Sequence, residues 1–78
     1  MTNTTELRKR IKDSGLKLGF IAERLGISYH WLNMKIDGKV PFKDYEIQIL
    51  CELLNITDLN DKEFIFFAVN VEENSTPA

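Results

Sequence analysis

Few side chains in this 78-residue chain could do covalent or metal chemistry. There is one histidine, His30, and one cysteine, Cys51. A zinc site needs three or four ligands, so this pair falls short and no metal is expected. No hydroxyl or thiol stands in a nucleophile-and-base pattern, and Gly15, Gly19, Gly26 and Gly38 are scattered rather than gathered into a phosphate-binding loop. The sequence therefore predicts no enzyme, no cofactor and no small-molecule substrate.

What remains is charge, and it is unevenly placed. Residues 1 to 43 hold nine of the ten lysines and arginines with only Glu6, Asp13, Glu23 and Asp37, for a net +5. Residues 44 to 78 set Lys62 against eight acids, for a net -7. The overall formal charge of -2 thus conceals a basic N-terminal half, and it is the local field that attracts a polyanion. The plainer alternative is a chance gradient of solvated charges.

These groups must be positioned by helices. Asn3 with Glu6 resembles a capping box, Leu7 and Ile11 repeat at i, i+4, and Gly15 is a left-handed stop, so a first helix is expected over about Thr4 to Ser14. Leu18, Ile21, Ala22 and Leu25 carry a second, short helix to Gly26. Ser28 caps a third, with Leu32 and Ile36 inward, which ends at Asp37-Gly38-Lys39. Val40-Pro41-Phe42 reads as extended, and Ile47, Leu50, Leu53 and Leu54 mark a fourth helix from about Lys43 to Asn55. Cys51 lies in the apolar run Ile49-Leu50-Cys51 and reads as core, which fits a reducing cytoplasm. Thr57 to Asp61 looks like a loop, and Phe64 to Val69 is apolar and open to either helix or strand.

The reading is an all-α, compact domain of four or five helices over residues 1–71, with a short C-terminal strand or helix as an open alternative. A polar run, residues 72–78, is expected to stay unstructured. A domain this small buries only about 60% of its unfolded surface, so self-association is expected. No apolar stretch approaches the roughly 20 residues that span a bilayer, and Met1 to Glu6 are polar where a signal peptide would be apolar. A soluble, cytoplasmic, non-exported protein follows as the expectation.

The informative stretch is Leu18 to Gly38, where a short helix, a glycine turn and a serine-capped helix fall at helix-turn-helix spacing. Ala22 permits close helix approach, Gly26 turns the chain and Ile27 plugs the gap between the helices. "LGFIAERLGISYHWLNMKIDGKVPF", followed by the helix "IQILCELLNI", resembles the Cro and lambda-repressor class of helix-turn-helix domains, especially small phage and prophage repressor-like proteins. The resemblance covers about residues 5 to 56 and rests on Ile21-Ala22, Leu25-Gly26-Ile27-Ser28, Leu32 and Gly38-Lys39. It implies a homodimer that represses transcription from a pseudo-palindromic double-stranded DNA operator.

In that docking the third helix lies in the major groove with its N-terminal residues at base edges, the geometry known for this class. Carried over by position, Tyr29, His30, Asn33 and Met34 would read bases, because Leu32 and Ile36 fix the inward face. Asn33 can offer adenine a donor and an acceptor together, whereas Met34 could meet only an apolar group such as a thymine methyl. Lys17, Ser28, Lys35, Lys39 and Lys43 would contact phosphates, or in the lysines' case simply be solvated.

The chain also departs from the family. Leu18 stands where a DNA-backbone-binding glutamine is usual, Phe20 where a charge is usual, and Trp31 where a small residue is usual. With Tyr29 and Met34 these make an apolar face, which favours a second reading: a scaffold that binds a partner regulator as a modulator or antirepressor. Alternatively Phe20 and Trp31 turn inward and enlarge the core. Phe64, Phe66 and Phe67 pose the same choice, between packing on the domain's own helices and forming a protein or dimer interface.

Overall fold

The computed structural model describes residues 2–67, and the description below is confined to them. Residues 72–78, and the part of the apolar run from Ala68 onward, lie outside the described residues. Within 2–67 the chain forms five α-helices and no strand: α1 (Thr4–Ser14), α2 (Leu18–Leu25), α3 (Tyr29–Ile36), α4 (Asp44–Leu53) and α5 (Leu59–Phe66). No helix among the described residues is long and apolar enough to cross a membrane.

Local chemistry sets each boundary. Asn3 Oδ1 accepts from the Glu6 amide at 3.2 Å to begin α1. Ser28 Oγ accepts from the Trp31 amide at 3.0 Å to begin α3. Such caps satisfy donors that the first helical turn leaves unpaired. Between α2 and α3, Gly26 takes φ +75°, a left-handed conformation that costs an L-residue with a Cβ. Its amide donates back to the carbonyl oxygen of Glu23 at 3.1 Å, and that of Ile27 to Ala22 at 3.0 Å, so the turn closes the helix behind it.

Two expectations about the C-terminal half change. α4 starts one residue late because Lys43 sits in extended backbone at the N-cap, and it ends at Leu53 because Asn55 adopts φ 61°. Thr57 to Asp61 is not a loop throughout. Asp58 Oδ1 accepts from the Asn60 amide at 2.9 Å, so the Asp-Asn pair that read as turn chemistry caps α5 instead. Phe64 to Phe66 are helical, which closes the strand alternative for those residues. With that geometry Ile65 and Phe66 are buried, while Phe64 and Phe67, three apart, remain exposed.

The core is continuous. Leu7, Ile11, Ile21, Ala22, Leu25, Leu32, Ile36, Ile47, Leu50 and Ile65 bury 93% or more of their surface and meet Phe42, Leu54, Ile56 and Phe66. α2 packs on both α3 and α4, and α1 packs on α3 and α5. Cys51, expected in the core, is only half-buried and packs against the core cluster rather than within it. The Asn3 amide donates to the Ile65 carbonyl oxygen at 2.6 Å and ties the start of the chain to α5. Phe42 and Phe66 meet edge to face at 5.9 Å, an arrangement the ring quadrupoles favour.

Candidate nucleic-acid interface

The first turn of α3 is the most open part of the α2 to α3 region. Tyr29, His30 and Trp31 are three consecutive exposed residues, with Tyr29 at 58% and Trp31 at 42% of full exposure. Leu32 and Ile36 are fully buried on the opposite side, which is what turns this end outward. Asn33 and Met34 follow in half-buried positions. Asn33 is also partly committed, because its Nδ2 donates to the Tyr29 carbonyl oxygen at 3.0 Å. Its Oδ1 is left to accept.

Trp31 and Phe20 do not turn inward to enlarge the core. Phe20 is 41% exposed, and the Arg24 guanidinium lies 5.8 Å from its ring centroid, within cation-π range. Arg24 thus joins the exposed cations of this region, beside those expected at phosphates. The i, i+4 spacing of Phe20 and Arg24 on one helix was the available signal.

Of the five residues expected at phosphates, four are exposed and one is not. Lys17 precedes α2, Ser28 caps α3, Lys39 follows α3 and Lys43 precedes α4, and all four face solvent. None of these three lysines has a carboxylate of a described residue within ion-pair distance.

Lys35 requires a correction. It is 1% exposed, and its Nζ donates to Glu46 Oε1 at 2.5 Å, with Glu46 itself wholly buried. An ammonium held there cannot reach a phosphate. The physical reason is register: Lys35 stands three residues after Leu32 and beside Ile36, on the inward face, and α4 supplies the counter-charge. The same Oε1 accepts from the Lys43 amide at 2.8 Å, so Glu46 joins the end of α3 to the start of α4. The Lys35 ammonium also lies 5.9 Å from the Phe42 ring centroid.

The C-terminal phenylalanines separate. Phe66 is 2% exposed and belongs to the core, which removes it from the expected interface set. Phe64 and Phe67 are exposed at 52% and 44%, as are Tyr45 and Leu59.

Most cations of α1 are neutralised locally. Arg8 pairs with Asp37, Lys9 with Asp13 at 3.6 Å, and Arg10 with Glu6 at 3.0 Å and Asp61 at 3.5 Å. The hydrogen bond that Arg10 donates to the Glu6 carboxylate, with the charge of Asp61, holds the guanidinium's pKa above its ordinary value. Comparison with protein-family models, with curated proteins and with solved structures finds no match for the chain.

Proposed function

We propose that this protein is a sequence-specific DNA-binding transcriptional regulator of the Cro and lambda-repressor kind, with α2 and α3 as its helix-turn-helix. The observation that carries the reading is the placement of the α3 first turn. It is a capped, outward helix end bearing Tyr29, His30 and Trp31, and it is flanked by the exposed cations Lys17, Arg24, Lys39 and Lys43. A helix presented this way fits the major groove, with the flanking cations on phosphates. Tyr29, His30, Asn33 and Met34 form the base-facing set. Lys17, Ser28, Lys39 and Lys43 form the backbone set. A homodimer suits a palindromic operator, and the exposed Phe64 and Phe67 supply apolar surface for it. The protein acts in the cytoplasm and catalyses nothing in this reading.

Exposure of Phe20, Tyr29 and Trp31 together supports one competing function, a modulator that grips a partner regulator through the same face. One experiment separates the two. Full-length protein is offered a random-sequence duplex library, with selection and sequencing, at two salt concentrations. Enrichment of a palindromic site with affinity that falls steeply in salt is the expected result. No enrichment and negligible salt-dependent binding would refute DNA reading and favour the modulator.

A further inference from the structure

We infer that the seam between α4 and α5 is a docking groove for a basic amphipathic helix of a partner protein. It uses none of the side chains assigned above to DNA, so the inference goes beyond that reading and stands or falls apart from it. The two helices are consecutive in the chain, yet α4 packs chiefly on α2 and α5 on α1. Three cavities open along the seam that this leaves. The first, of about 330 Å³, has Cys51, Ile56 and Leu59 among its walls. The second, of about 190 Å³, lies between Ile47 of α4 and Leu59 and Phe67 of the α5 region. The third, of about 220 Å³, is lined by Val40, Phe42, Ile47 and Phe66 with Phe67. Leu59 and Lys62 line both the first and the second, and Ile47 and Phe67 line both the second and the third, so the three adjoin as one groove. Two of them fall below the roughly 300 to 1,000 Å³ of small-molecule pockets, so the groove suits a row of single side chains rather than a compact ligand.

Helical register builds the walls. Asp44, Ile47, Gln48, Cys51 and Glu52 fall on one side of α4 at i, i+3, i+4, i+7 and i+8, and Leu59, Lys62 and Glu63 do the same in α5. From Asp44 to Glu52 this wall runs about 12 Å, at 1.5 Å per residue. Apolar area is left uncovered on it: Leu59 is 65% exposed, more than any other large apolar side chain of the described residues, and Phe67 is exposed as well. The occupant must also suit the charge. Asp44, Glu52, Asp58 and Glu63 line the groove against Lys62 alone, four acids and one base for a net of -3, and none of the four is in an ion pair among the described residues. An apolar stripe flanked by lysines or arginines meets both requirements, and two to three helical turns fit the length. A second copy does not supply such a helix, because α1, the chain's basic helix, spends Leu7 and Ile11 on its own core.

The test offers a displayed library of random peptides, each about twelve residues long, to immobilised full-length protein; enriched peptides are then synthesised and titrated by fluorescence anisotropy. Enrichment of lysine and arginine together with apolar residues at i, i+3 or i+4, and i+7 is expected, with affinity that falls as salt rises. Rearranging the apolar residues of such a peptide at constant composition should abolish binding, a control in which misfolding of the protein plays no part. Leu59→Ala should weaken the peptide at least about tenfold, and Glu63→Lys about fivefold at low salt. Both side chains are exposed, so unchanged melting temperatures and unchanged duplex binding are expected of the two variants. No enrichment, enrichment of acidic or unpatterned peptides, or equal affinity for the parent and both variants would overturn the proposal. Self-association of the full-length protein that both variants abolish, measured by sedimentation, would assign the groove to a second copy and overturn it too. Peptide binding without binding to any duplex would uphold the groove and refute the DNA reading alone.

Discussion

Removing one partner of the buried ion pair should be far more damaging than removing both. Lys35→Met leaves Glu46 wholly buried, with only the Lys43 amide bonded to it and Oε2 without a hydrogen-bond partner. Breaking a buried pair from one side costs about 3 to 5 kcal/mol, because the remaining charge is neither solvated nor matched. A domain of this size has a total stability of about 4 to 12 kcal/mol at ordinary values per residue. The single change therefore consumes a quarter of that or more. At about 4 to 8 °C per kcal/mol, the melting temperature should drop by at least about 12 °C.

The double variant Lys35→Met/Glu46→Gln keeps the side-chain acceptor for the Lys43 amide and buries no charge. It should lie within about 2 kcal/mol of the parent, since apolar or neutral replacements of buried pairs are often tolerated. Glu46→Gln alone strands the Lys35 ammonium and should be as harmful as Lys35→Met. The assay is equilibrium urea unfolding followed by circular dichroism and by fluorescence of Trp31, the only tryptophan. Urea is preferred to guanidinium because it does not screen charge. Four proteins close a thermodynamic cycle, and on these figures a coupling of about 4 kcal/mol or more is expected between the two sites. A Lys35→Met variant that lost less than about 1 kcal/mol, or single effects that simply added in the double variant, would refute the reasoning.

Gly26→Ala should destabilise by about 1 to 2 kcal/mol, because φ +75° is strained for alanine although the added Cβ would meet nothing within 4 Å. Gly26→Asn should cost measurably less, and equal melting temperatures for the two variants would show that the turn does not hold that conformation. Burial pushes the Cys51 thiol's pKa above its ordinary value, with the Lys62 charge opposing. Its alkylation by iodoacetamide at pH 8 should therefore lag behind that of the urea-unfolded chain several-fold. The linkage sign follows: a raised folded pKa favours the neutral thiol, so this stabilisation is full below the ordinary thiol pKa and is lost as pH rises through the folded value. Cys51→Ala should accordingly flatten the decline of stability on the alkaline side.

The helices were legible where a cap and a period agreed. Asn3 with Leu7 and Ile11, and Ser28 with Leu32 and Ile36, carry both signals, and α1 and α3 begin where these predict. Legibility failed where one residue type serves two purposes. Asp58 and Asn60 are turn formers by composition, yet an aspartate before a helix is equally a cap, and nothing local says which. The phenylalanine-rich run has strand propensity, and only packing of α5 on α1 selects the helix. Phe66 shows the consequence, because its neighbours Phe64 and Phe67 end on a different side.

Lys35 failed differently, since the sequence did contain the answer. The register that buries Leu32 and Ile36 also brings position 35, next to Leu32 at i+3, to the inward side, but a lysine is expected outside on grounds of charge. Its partner is eleven residues away in another helix, so no local pattern pairs them. That pair also changes what the charge asymmetry means. With Lys35 held by Glu46, Arg8 by Asp37, and Lys9 and Arg10 by their own neighbours, four of the nine N-terminal cations are spoken for. The five outside such pairs are Lys12, Lys17, Arg24, Lys39 and Lys43, and four of these lie in or next to α2, α3 and the start of α4. Net charge by half-chain therefore names the wrong quantity. Among the described residues it is the pattern of internal pairing that leaves Lys17, Arg24, Lys39 and Lys43 outside ion pairs around the exposed aromatic turn of α3, and a polyanion docking there would meet them rather than the mostly paired cations of α1.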